Sequence, residues 1–141
     1  MFPLSENVKI TKIKAYQAAN TTTITSDEVD MEGFEGVIFI ADGGTAAANT
    51  GIKGRQDTAT GMGTADDLEG TSNLSDATQT DMVLDIFRPQ ERFLDCQVLR
   101  GTSTTIEAVW AIQYGAKKAP VDNETTAQAY ELHVSPDEGT A

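Results

Sequence analysis

Few side chains in this chain are equipped for chemistry. His133 is the sole histidine and Cys96 the sole cysteine among 141 residues, so a Ser/His/Asp or Cys/His site has a single possible base. That base stands in a polar C-terminal stretch, whereas a general base needs an oriented and partly enclosed setting; no catalytic set is expected. Two compact acidic triplets, Asp27-Glu28-x-Asp30 and Asp66-Asp67-x-Glu69, offer the oxygen ligands a hard cation takes. Neither has EF-hand spacing, calcium wants about six or more converging oxygens, and turn-initiating or solvated acids account for both, so no metal site is expected. A glycosidase pair would want a groove lined by aromatics, which make up only 6% of the chain. Gly61-Met62-Gly63 and Gly33-x-x-Gly36 lack the strand–loop–helix context of a nucleotide site, and no cofactor is expected. Trp110 has the chemistry to stack on a ligand, but its place between Ala108 and Ile112 predicts a core anchor.

The elements that would position these residues read as strands. Ile106, Ala108, Trp110, Ile112 and Tyr114 recur at period two, with Glu107 and Gln113 opposite, and predict one strand face. Phe93 to Leu99 is a second β-compatible run, and Arg100-Gly101-Thr102-Ser103 supplies turn residues, so the two are expected to form a hairpin. Cys96 alternates with Leu94 and Val98, as a small buried hydrophobe would. Val37 to Ala41 is a continuous apolar run, expected to be covered on both faces. In Asp81 to Phe87, Val83 and Asp85 point one way and Met82, Leu84 and Ile86 the other, until Pro89 breaks the run. Gly43 to Gly70 is rich in Gly, Ala and Thr, and the region to Asp81 carries few apolar residues; it predicts long loops around short strands such as Ile52–Asp57, with little core. The expected fold is all-β: an antiparallel β-sandwich or flattened β-barrel of about six to eight strands, with long loops and extended N- and C-terminal arms. Val37, Phe39, Leu84, Ile86, Trp110 and Ile112 are its expected core. Residues 1–20 read as an N-terminal arm and edge segment, 21–120 as the core domain, and 121–141 as a C-terminal arm.

Ten Lys and Arg against 22 Asp and Glu give a net charge of −12, which speaks against a nucleic-acid partner because phosphate binding needs a basic patch. Such acidity serves a soluble, self-repelling surface, or complements a basic patch on a partner. One thiol excludes an intrachain disulfide. Met1 to Asn7 lacks a basic region followed by an apolar core, so no signal peptide is expected, and no apolar run approaches the ~20 residues of a membrane span. Lys9, Lys12 and Lys14 near one end, with Lys117 and Lys118 near the other, fit either edge-strand protection or a basic contact surface. Tyr130, Leu132 and Val134 lie at period two, a spacing that lets an extended tail dock on another surface.

Arg88-Pro89-x-x-Arg92-Phe93-Leu94, then Arg100-Gly101, then Ile106 to Lys118 (IEAVWAIQYGAKK) resemble, in the same order, motifs of the capsid cement or decoration proteins of tailed bacteriophages. Val29 to Ile40 (VDMEGFEGVIFI) is similar to that family's first core strand and its lead-in, so the resemblance covers roughly residues 21–120. It implies a non-enzymatic protein on the outer capsid surface of a virion, assembled in the bacterial cytoplasm. Its partner would be the major capsid protein, and it would bridge adjacent capsomers, as a homotrimer at three-fold positions. The expected contact residues are Phe2, Leu4, Lys9, Lys12, Lys14, Tyr130 and Leu132, with Arg88 and Arg92 at the Pro89 corner forming either capsid salt bridges or internal pairs. A tail or head–tail component of the same fold, or a carbohydrate-binding β-sandwich, is the alternative; the latter would place exposed Trp and Tyr on one sheet face.

Overall fold

The computed structural model describes residues 3–135 and 137–140, with Asn73–Asp76 described by backbone alone. After a short 3-10 turn at Leu4–Glu6 come β1 (Lys9–Lys14), β2 (Gln17–Asn20), β3 (Ile24–Thr25), β4 (Val29–Asp30), β5 (Gly36–Gly43), β6 (Ala48–Asp57), β7 (Asp66–Asp67), β8 (Asn73–Asp76), β9 (Met82–Phe87), β10 (Phe93–Leu99) and β11 (Thr104–Tyr114). The first sheet runs β1-β11-β5-β9, with β2 also on β11. The second runs β3-β10-β6-β7, with β4 also on β10 and β8 also on β6. Every pairing is antiparallel. The two sheets pack face to face as a β-sandwich. Among the described residues no helix is long and apolar enough to cross a membrane.

The core lies between the inner faces. Val37, Phe39 and Ala41 of β5, Met82 and Ile86 of β9, and Val109 and Ala111 of β11 meet Ile52 of β6 and Leu94, Cys96 and Val98 of β10. Val37, Phe39 and Ile86 are buried as expected of core residues, and Leu84 packs half-buried against them. The Gly-rich middle departs from its sequence reading. It contains the ten-residue β6, central in its sheet, whose Ile52 has no exposure. Gly54 explains how so plain a sequence builds core: a Cβ there would lie 2.7 Å from Ile86 Cδ1, so the opposite sheet's larger side chain fills the space.

The expected hairpin of β10 and β11 is absent: the strands belong to different sheets and the chain crosses the sandwich between them. Arg100, 7% exposed, forms the crossing. Its guanidinium donates to Thr22 O at 2.7 Å, Ala18 O at 2.8 Å, Thr104 O at 3.1 Å and Thr22 Oγ1 at 2.9 Å. These bonds satisfy carbonyls that would otherwise be stranded at a buried corner.

Residues 3–20 join the first sheet, with β1 as its edge strand. β1 pairs along β11, and Val8 and Ile13 are buried. The C-terminal segment folds back on the outer edge of β1. Asn123, 2% exposed, accepts from Ile10 N–H at 2.8 Å and donates to Ser5 O at 2.7 Å and Val8 O at 2.9 Å. Gln128 donates to Ile10 O at 3.1 Å. Two side-chain amides thus close an edge that would otherwise offer free backbone groups.

Candidate functional site: the outer face of the first sheet

The most distinctive surface is set by one irregularity in β11. Its register against β5 shifts between Ile106 and Ala108, a β-bulge. Thr104 and Ile106 point into the core before it, and Val109, Ala111 and Gln113 after it. An extra residue flips every later side chain, so Trp110 and Ile112 lie half-buried on the outer face, correcting their expected place in the core. Gln113 takes an inward position instead, 4% exposed, and donates to Asp30 O at 2.7 Å.

The register then assembles an apolar sheet face. Trp110 stands opposite Ile40, which stands opposite Val83; Ile112 stands opposite Ile38. Ile38 and Ile40 are half-buried rather than covered, which corrects the reading of β5 as enclosed on both sides. Val83 is 54% and Phe87 57% exposed. Tyr114 lies across Gly36, where a Cβ would come within 2.3 Å of its ring. The Tyr114 and Phe87 rings stack at 6.4 Å between centroids, and Tyr114 OH donates to Asp85 at 2.7 Å. Partial desolvation, and then Asp85, push the Tyr114 hydroxyl up to about 12, so it stays a donor. Lys12 covers Trp110 at 5.1 Å and Arg88 covers Phe87 at 4.9 Å, both cation–π contacts.

The rim is acidic. Asp42, Asp81 and Glu107 gather at one end, and partial desolvation, then Asp81 and Glu107, raise the Asp42 carboxyl above the ordinary range. At the other end an open cleft of about 470 Å³ is lined by Glu32, Glu35, Arg88, Glu91, Arg92 and Lys117 among others.

The expected contact residues do not converge on one place. Leu4 is 76% exposed at the N-terminal turn, and Phe2 lies outside the described residues. Lys12 borders the apolar face, whereas Lys9 reaches Asp122 O at 3.5 Å and Lys14 is half-buried past a β1 bulge. Arg92 is engaged internally, bidentate to Asp30 at 2.8 Å and paired with Glu32 at 2.5 Å; Arg88 sits on Phe87. Tyr130 donates to Ser5 Oγ at 2.9 Å, and Leu132 is 39% exposed beside it, so this part of the tail lies against its own domain.

The groups considered for chemistry are dispersed. Cys96 is fully buried, and burial pushes its thiol up to about 12. His133 is exposed beside Glu131 at 3.0 Å. The acidic triplets are divided: Glu28 holds Thr60 Oγ1 and the Gly61 amide, Asp30 holds Arg92, and Asp67 holds Lys53 at 2.7 Å. Among the described residues no cluster of three or more His, Cys, Asp or Glu is placed to hold a metal ion. The apolar face was missed in the sequence because the bulge was. No protein-family model matches the chain, and no curated protein matches it significantly.

Proposed function

We propose that this protein is a non-enzymatic virion component that decorates the outer surface of a tailed-phage capsid and cements adjacent capsomers. The supporting observation is the ordered set of motifs from Arg88 to Lys118 that resembles the decoration family, carried on a β-sandwich whose first sheet has an apolar outer face. Each copy adds modest binding energy, and many copies act together against the pressure of packaged DNA. A trimer at three-fold positions matches the symmetry of such a lattice.

A glycan-binding reading draws on Trp110, Tyr114 and Phe87 sharing one sheet face. It is the weaker reading, because Lys12 and Arg88 already lie over two of the three rings. The test is reversal: particles of the encoding phage are stripped with a mild chaotrope, heated, and heated again after purified protein is added back. Stripped particles releasing DNA at lower temperature, with restoration on add-back, supports cement. Unchanged heat resistance after complete stripping contradicts it.

A further inference from the structure

We propose that the outer face of the first sheet, centred on Ile38, Ile40, Val83, Phe87, Trp110 and Ile112, is the surface that docks on the capsid, and that its partner is an apolar protein surface with a basic rim. This rests on the decoration reading and adds to it the face and the chemistry of its complement.

Three observations carry it. The first is a departure from the usual pattern. An antiparallel sheet with one solvated face alternates apolar inside with polar outside. Here β5 places Ile38 and Ile40 outside, and β11 places Trp110 and Ile112 outside, while its inward set includes Gln113. Stability does not require the larger apolar groups on the wet side; recognition does.

The second is charge. Asp42, Asp81 and Glu107 crowd one end of the face and Asp85 sits in its row, against Lys12 and Arg88, which lie on the rings. A partner bringing Lys or Arg to Asp42, Asp81 and Glu107 offsets the like charge gathered at that end. A second copy, itself at −12, brings more carboxylates to the same rim.

The third is size. Four strands about 4.8 Å apart, over three rows of outward side chains, cover roughly 400 Å², against about 800 Å² per partner in a standard stable complex. Such a face is too small for a tight pair on its own and suits a contact repeated over a lattice.

The experiment measures co-sedimentation of purified protein with stripped shells of the encoding phage across a salt series. Val83→Asp with Phe87→Asp tests the apolar centre, and Asp81→Lys with Glu107→Lys tests the rim. Thr25→Asp, exposed on the opposite sheet, is the control. Unchanged melting temperatures establish that each variant folds. The expected result is at least about tenfold weaker binding for the apolar pair, a loss of similar size with a flatter salt dependence for the rim pair, and no change for the control. Wild-type binding that survives both pairs overturns the face while leaving the decoration reading standing. Absence of wild-type binding overturns both. A free dimer in sedimentation that the apolar pair dissolves also overturns the proposal, because the face then belongs to a second copy.

Discussion

At the scale of single residues, burial and hydrogen bonding set reactivity. Cys96 sits between the sheets with its thiol raised to about 12, so the thiolate needed for attack is scarce. A thiol reagent at pH 8 is expected to leave the native protein unmodified over hours and to label it once per chain in denaturant. Fast native labelling would mean that the sheets separate readily. Asp57, 2% exposed, accepts from the Ala59 and Thr64 amides at 3.0 and 2.8 Å, and these bonds hold its carboxyl below the ordinary range. The Arg92 guanidinium does the same for Asp30. A depressed folded-state value stabilises the protein above the unfolded carboxylate pKa of about 4, and the contribution disappears as pH falls through the folded value. Asp42, raised by desolvation and its neighbours, works in the opposite sense. The melting temperature is therefore expected to be flat between pH 7 and 5 and to fall below about pH 4, with a shallower fall in Asp57→Asn. An identical slope in that variant would remove Asp57 from the account.

At the scale of elements, two side-chain devices replace backbone pairing. Arg100→Met leaves the Ala18, Thr22 and Thr104 carbonyls unsatisfied at the crossover and is expected to cost about 2–4 kcal/mol, read from the urea midpoint at constant m-value. Asn123→Ala uncouples the C-terminal segment from β1, with an expected cost of about 1–2 kcal/mol and faster exchange of the Ile10 amide. Elements whose local pattern is regular were legible in the sequence: Leu94, Cys96 and Val98 share the inner face of β10, and Met82, Leu84 and Ile86 that of β9. Three features were not. The β11 bulge carries no local marker, and apolarity alone picks the outer set, Trp110 and Ile112, as the core. β6 hides its role because Gly54 makes room for neighbours rather than filling space itself. The β10–β11 crossover looks like a hairpin because turn chemistry is the same whether the chain returns to its own sheet or passes to the other, and Arg100, which decides between them, reads as a surface cation. Of the residues read as contacts, Arg92 takes the internal-pair alternative and Tyr130 bonds within the chain, while Ile40 and Val83 were assigned only by their place in a strand.

At the scale of the whole molecule, a charge of −12 on a small sandwich favours mutual repulsion between copies, and the proposed docking face would gain affinity where many sites are arrayed. Cementing a shell requires that this protein occur in numbers comparable to the shell subunits. For the proposed decoration role, the most direct measurement is the copy number of this protein relative to the major capsid protein in purified phage particles, by quantitative mass spectrometry. A cement protein is expected at a ratio near one to one; a handful of copies per particle, or none, would contradict that role.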